Sequence, residues 1–225
     1  SHAYSRQLRR CRYVDPRSVR QLADEPKQPN GLCMLPGGVL AIASCESYNQ
    51  TAVKFVAARN DSDPQALAAY RASSLAARRF EWLMGLALTN DGLLACSLRG
   101  ESVALYKFAQ NGSMDELAAV PILADYRRGC KRCAVHPQTQ RTYALVVDTT
   151  PNLTPIRTAV VLLDANLQIV ATVEAADVTN AANDDPIRGV AVHGDQVIVL
   201  TSNDHAKDSG LRLLDLDGRF LRTIA

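Results

Sequence analysis

The stretch that decides the fold is PIRGVAVHGDQVIVL, residues 186–200. A short apolar run, 189–192, leads into the turn His193-Gly194-Asp195, and a second apolar run follows at 196–200. Two apolar runs that flank a glycine turn are typical of two antiparallel β-strands. This stretch therefore predicts a β-hairpin. The rest of the sequence shows whether this hairpin is repeated.

The opening phrase of this hairpin returns three times earlier in the chain. Similar phrases begin at Gly31, Gly85, Arg132 and Gly189. The steps between them are 85−31 = 54, 132−85 = 47 and 189−132 = 57 residues. Such spacing is typical of an array in which each repeat is one supersecondary unit.

Each repeat continues with a polar loop, a third strand, a turn and a fourth strand. The third strands are predicted at 52–56, 102–106, 159–163 and 211–214. Four short antiparallel strands per repeat form one blade of a β-propeller. We therefore predict an all-β propeller whose blades cover about 30–75, 83–120, 130–174 and 187–225 within a single domain, 1–225.

The first residues of the chain resemble its last ones. Residues 12–23 share an aspartate, two arginines, two apolar positions and a final alanine with residues 214–225. This likeness predicts a half blade at about 11–23, so that the chain holds about four and a half blades. We expect a segment of a larger, six-bladed ring, completed by missing chain or another subunit. The alternative is a true four-bladed or five-bladed ring with an irregular first hairpin.

One stretch departs from the repeat. Asp63 followed by Pro64 is typical of a helix N-terminus, and alanine-rich sequence continues to about Arg79. A helix or an irregular outer strand is expected there.

Composition narrows the function classes. The chain has 225 residues, of which 47% are hydrophobic, and no apolar run approaches 18 residues. We therefore expect a sizeable core and no membrane insertion. The formal net charge of +2 does not by itself argue for a nucleic-acid partner.

The phrase Pro29-Asn30-Gly31-Leu32, the turn and strand at 37–43 and the strand that ends near Phe55 together resemble an NHL repeat. Residues 186–225 resemble it best. This resemblance implies a propeller that binds a protein or RNA, or a calcium-dependent hydrolase of the gluconolactonase kind. Fold alone does not choose among these functions.

Basic side chains in the inter-blade loops lead to the first hypothesis, a non-catalytic scaffold that binds a protein partner. A basic loop face attracts an acidic partner, or RNA as the alternative. The aromatic candidates for base stacking are few: Phe80, Trp82 and Tyr126. The predicted binding residues are Arg78, Arg79, Arg99, Arg127, Arg128, Lys131, Arg132, Arg157 and Arg188.

The hydrolase alternative depends on a calcium ion at the channel mouth. The resemblance puts Asn30 at the position of a calcium ligand, but the matching residues of the other blades are Met84, Lys131 and Arg188. Calcium needs several oxygen ligands. We therefore predict no metal site, no cofactor outside this alternative and, since no nucleophile motif is present, no catalytic residue.

Cysteines and sequons bear on chemistry and compartment. Cys130 and Cys133 form a C-x-x-C pair, but Cys133 aligns with apolar positions, and with Cys33 and Cys96 it is predicted on a strand as a reduced thiol. Six cysteines permit up to three disulfides in an oxidising compartment. Together with four predicted glycosylation sites, they favour a secretory or cell-surface location: Asn49, Asn60, Asn111 and Asn152.

Overall fold

The described residues form four antiparallel sheets arranged as four blades of a β-propeller. The computed structural model describes residues 29–47, 50–80, 82–97, 105–109, 114–120, 129–149, 155–178, 187–202 and 210–224. Within these ranges, each sheet is built from strands that follow one another in the chain. The predicted all-β propeller fold is confirmed. The half blade at 11–23 lies outside the described residues, and the larger ring stays a prediction.

The strands follow in chain order. Blade 1 contains β1 (Pro29–Leu35), β2 (Val39–Ser47) and β3 (Gln50–Ala57). Blade 2 contains β4 (Leu83–Leu88), β5 (Gly92–Ser97), β6 (Leu105–Ala109) and β7 (Glu116–Val120). Blade 3 contains β8 (Cys130–Val135), β9 (Thr142–Thr149), β10 (Pro155–Leu163) and β11 (Ile169–Glu174). Blade 4 contains β12 (Ile187–His193), β13 (Gln196–Thr201), β14 (Gly210–Leu214) and β15 (Phe220–Thr223).

Blade 1 differs from the other blades at its outer edge. Its described sheet has three strands, and the segment after β3 forms two helices, α1 (Pro64–Arg71) and α2 (Ser74–Ala77). Asp63 caps α1 by accepting a hydrogen bond from the Gln65 N–H, and Pro64 takes the first helical position, so the predicted helix is confirmed. Beyond α2, Phe80 pairs with Thr51 through two backbone hydrogen bonds.

A third short helix, α3 (Ala175–Val178), follows blade 3. No helix among the described residues has the length and apolar content needed to cross a membrane.

The core consists of three layers, each between two successive blades. Because neighbouring residues of a strand point to opposite faces, Leu93 faces blade 1 and Leu94 faces blade 3. The layer between blades 3 and 4 follows the same rule, with Leu145 and Val160 packed near Val197 and Val199. Apolar side chains that alternate between the two faces of a strand therefore pack neighbouring blades against each other.

Two buried threonines add polar links between blades. Thr51 Oγ1 accepts a hydrogen bond from the Leu83 N–H at 2.6 Å, across the junction of blades 1 and 2. Thr158 Oγ1 accepts the equivalent bond from the Ile187 N–H at 2.7 Å, across the junction of blades 3 and 4. Each threonine satisfies a backbone donor at the start of the next blade, where the sheet offers it no partner.

Candidate anion-binding site at the inner strands

The first strands of successive blades, β1, β4, β8 and β12, contact one another and are therefore the innermost strands. Each one carries a register shift near its N-terminal end, against the second strand of its blade. One residue is skipped at each shift. The skipped residues are equivalent in the four blades: Asn30, Met84, Lys131 and Arg188.

Two of these four positions are cationic, and a third cation adjoins them. Lys131 is half-buried, and its pKa is lowered first by burial and then by the nearby positive charges of Arg188 and Arg132. Of the ion pairs between described residues, none includes Lys131 or Arg132. Arg188 donates from Nε to the Ser202 carbonyl at 3.4 Å. We call Lys131, Arg132 and Arg188 the basic cluster.

Arg132 stands where the other three blades have glycine. A Cβ atom on Gly31 would lie 3.0 Å from the Gly85 Cα, and one on Gly85 would lie 3.2 Å from the Arg132 Cα. Glycine therefore allows the inner strands of blades 1, 2 and 3 to approach closely. Blade 3 instead carries an exposed arginine side chain at this level, on the side of blade 4. The sequence shows the same exception, because the third opening phrase begins with Arg132 where the other three begin with glycine.

The structure separates the other predicted basic residues from this cluster. Arg78 forms an ion pair with Glu116 at 2.8 Å, and its guanidinium lies 5.2 Å from the centre of the Tyr106 ring. Arg157 pairs with Glu174 on the neighbouring strand at 2.5 Å. Arg79 donates to the Ala76 carbonyl beside α2. The remaining predicted binding residues lie outside the described residues: Arg99, Arg127 and Arg128.

Asn30 occupies the position that the resemblance assigns to a calcium ligand. Its side-chain amide donates to the Leu83 carbonyl at 3.1 Å, which ties blade 1 to blade 2. The described residues contain no group of three or more histidine, cysteine, aspartate or glutamate side chains that is arranged to hold a metal ion. The equivalent residues Lys131 and Arg188 would repel a divalent cation. Asn30 thus acts as a structural link in the arrangement observed.

The described aromatic candidates for base stacking, Phe80 and Trp82, are buried or half-buried. Phe80 is buried and packs edge-on against Tyr106 and Phe108. Trp82 is half-buried and packs at the layer between blades 3 and 4. Tyr126 lies outside the described residues. Of the four sequons, Asn60 is exposed in the loop after β3, whereas Asn49, Asn111 and Asn152 lie outside the described residues.

Sequence reasoning missed a cluster of four thiols. Cys33 on β1, Cys96 on β5 and the pair Cys130 and Cys133 on β8 are all free and lie near one another across three blades. Burial and the neighbouring thiols raise the pKa of Cys96, and burial and Cys133 raise the pKa of Cys33 to about 11. Three of these four thiols pack in the layer between blades 2 and 3, and we call them the thiol cluster: Cys96, Cys130 and Cys133. The sequence held part of the signal for this cluster, because Cys133 follows Arg132 directly. The structure adds that Cys96 lies opposite Gly85.

The comparisons with known proteins support the fold alone. No family model matches the chain, and no curated protein matches it. Among solved structures, the chain is similar to a GH74 xyloglucanase from Xanthomonas campestris, with a TM-score of 0.51 and 14% identity, over 84% of this chain and 29% of that one. It also matches a prolyl endopeptidase structure with a TM-score of 0.41 and 15% identity, over 84% of this chain and 32% of the other.

Both of these proteins are β-propeller proteins, and this chain spans less than a third of the length of either. The likeness to the NHL family stays a prediction. The identities are too low to transfer an activity, since one fold hosts many unrelated functions. The chain therefore belongs structurally among β-propellers.

Proposed function

We propose that this protein is a non-catalytic propeller that binds an acidic segment of a protein partner through the basic cluster. The observation that carries the proposal is the position of Lys131 and Arg188 at equivalent points of two contacting inner strands, with Arg132 next to Lys131. Burial, and then the repulsion from the positive charges of Arg188 and Arg132, lower the pKa of Lys131. A carboxylate bound there would relieve this repulsion, so the site favours an anionic ligand.

The position of the cluster supports a protein ligand of limited size. It lies on the innermost strands of blades 3 and 4, whereas the equivalent positions of blades 1 and 2 carry the neutral Asn30 and Met84. The positive charge is therefore confined to one side of the inner strands. A short acidic segment matches this distribution better than a long phosphate backbone does, because a backbone needs basic residues along its whole path.

The alternatives have weaker support. RNA binding would gain from exposed aromatic platforms beside the cations, but Phe80 is buried and Tyr106 lies under Arg78. The calcium-dependent hydrolase has no supporting observation beyond the resemblance at Asn30. Calcium binding, glycosylation and a secretory location stay predictions.

The test measures binding of the full chain to a fluorescent glutamate-rich peptide. The double variant Lys131→Gln/Arg132→Gln should bind about tenfold more weakly, equivalent to about 1.4 kcal/mol. Its matched control, Arg219→Gln/Arg222→Gln, removes the same charge from exposed positions on blade 4 and should change the affinity less than about twofold.

Equal losses of peptide affinity in the two double variants would show that only the net charge of the protein matters. That result would rule out the basic cluster as the binding site. A single-stranded RNA oligonucleotide of matched charge provides the second arm. Tighter binding of the RNA than of the peptide, with the same dependence on Lys131, would overturn the choice of a protein partner.

A further inference from the structure

The thiol cluster joins blades 2 and 3 and has no part in the proposed binding site. Cys96 and Cys130 belong to the core layer between these blades, and Cys133 packs against it. Cys96 and Cys130 are fully buried, whereas Cys133 is half-buried. All three cysteines are free thiols. The chain therefore holds three reduced thiols in one core layer at a blade junction.

The backbone explains how these thiols meet. Gly85 lies opposite Cys96 in blade 2, and a Cβ atom on Gly85 would lie 3.2 Å from the Arg132 Cα and 3.7 Å from the Cys133 nitrogen. The absence of a side chain at Gly85 thus brings β8 close to the edge of blade 2. Cys96, Cys130 and Cys133 all belong to the core layer between these blades.

Accessibility and packing favour one pair from the cluster. The register shift at Lys131 leaves Cys130 and Cys133 opposite Val146 and Ala144, so their Cα atoms are about 7 Å apart, at the upper limit of the span of a disulfide. Cys130 is fully buried, and its thiol donates to the Arg132 carbonyl at 3.2 Å. Cys133 is the member of the cluster that a small molecule can reach. Cys96 packs in the same core layer, on the neighbouring blade.

We propose that Cys133 and Cys96 form a reversible disulfide that joins blades 2 and 3 when the protein meets a low-molecular-weight disulfide such as oxidised glutathione. The Cys133 thiolate first attacks one sulfur of the small disulfide, whose S–S bond breaks and releases one small thiol. The Cys96 thiolate then attacks the Cys133 sulfur and releases the second small thiol. The protein loses two electrons to the small disulfide, and the two thiol protons end on the released thiols.

The environment sets the rate of this exchange. Burial raises the pKa of Cys96, so its reactive thiolate is scarce at neutral pH. The reaction should therefore accelerate as the pH rises toward that pKa.

Trypsin makes the pair directly identifiable. Cleavage after Arg79 and Arg99 isolates Cys96 in residues 80–99, and cleavage after Lys131 and Arg132 separates Cys130, in 129–131, from Cys133, in 133–141. After treatment of the full chain with oxidised glutathione, mass spectrometry without reduction should find 80–99 linked to 133–141. Reduction should abolish this species and restore the free peptides.

Variants provide the controls. Cys96→Ala should stop the reaction at a glutathione adduct on Cys133, Cys133→Ala should remove both adduct and crosslink, and Cys130→Ala should leave the crosslink intact. The new link closes a loop between positions 96 and 133 and should raise the Tm of the wild type by about 5 °C or more. Thermal melts of each reduced variant show that it is folded before it is scored.

Three results would overturn the proposal. The first is a crosslink from 129–131 to either 80–99 or 133–141, which would identify Cys130 as a member of the pair. The second is an adduct on Cys133 in the wild type that never resolves to a crosslink. The third is an unmodified wild-type chain after prolonged exposure at alkaline pH, with Cys133 alkylated by a small reagent under the same conditions.

Discussion

At the residue scale, single departures from the repeat carry the features of interest. Arg132 replaces a glycine, and Cys133 replaces an apolar residue, so neighbouring positions of β8 contribute to the basic cluster and to the thiol cluster. The sequence alone located both residues in the third repeat. It did not show that Lys131 and Arg188 lie together, because the two residues are 188−131 = 57 positions apart and their strands meet only when blades 3 and 4 pack.

Buried threonines provide a matched test of the links between blades. Replacing Thr51 or Thr158 with valine leaves the Leu83 or Ile187 N–H without its acceptor, which should lower the free energy of unfolding by about 1–3 kcal/mol. Thr142 is equally buried, but its hydroxyl has no hydrogen-bond partner. Thr142→Val should therefore change stability by less than about 0.5 kcal/mol or increase it.

Urea unfolding of the three variants checks this contrast. Equal destabilisation by all three substitutions would mean that the loss of the threonine shape, rather than of the inter-blade hydrogen bond, causes the effect. The double variant Thr51→Val/Thr158→Val should show additive losses, since the two junctions share no partner.

At the element scale, the sequence predicts the inner strands of the blades well and the outer edge of a blade poorly. Glycine turns and apolar runs define the inner strands of all four blades. The outer edge of blade 1 is different, because capping by Asp63 and Pro64 favours the helix, one of the two structures expected there, over an outer strand. Among the described residues, Phe80 bridges to Thr51 at that edge, and Arg71 of α1 donates from Nε to the Phe55 carbonyl at 3.1 Å. Local capping chemistry thus overrides the repeat.

The junction of blades 3 and 4 gives a prediction about pH. Arg141 donates to Asp217 at 2.6 Å and to the Leu216 carbonyl at 3.0 Å, and this contact lowers the pKa of Asp217 in the folded protein. The folded chain therefore binds a proton at Asp217 less tightly than the unfolded chain does. The stabilisation is fully present above the ordinary carboxyl pKa and is lost as pH falls through the lowered folded-state pKa.

Thermal unfolding of wild type and Asp217→Asn across an acid series measures this effect. The wild type should be more stable at neutral pH, and the difference should disappear in acid. Asp61→Asn, at an exposed turn position, should give no such trend. A difference between wild type and Asp217→Asn that persists or grows as pH falls would contradict the assigned link.

At the scale of the whole molecule, the two terminal blades differ from the inner ones. Leu32 faces away from blade 2 and is 51% exposed, and Leu200 faces away from blade 3 and is 41% exposed. The equivalent of Leu200 in blade 3 is Leu145, which is fully buried against blade 4. Continuous apolar runs in the sequence, such as 196–200, place apolar side chains on both faces of a strand. The sequence alone does not show which faces a neighbouring blade covers.

This pair of leucines tests the arrangement of the blades. Leu145→Ala should cost about 2–5 kcal/mol in the free energy of unfolding, because it removes packed methyl groups from the layer between blades 3 and 4. Leu200→Ala should cost less than about 1 kcal/mol, because the same side chain is largely in water on the last described blade. Both substitutions lie on equivalent second strands, so differences in strand propensity cancel.

Urea unfolding at several protein concentrations provides the measurement. A loss at Leu200 as large as that at Leu145 would contradict the open face. If that loss also grew with protein concentration, a second subunit would cover the face, as the prediction of a ring completed by another subunit requires.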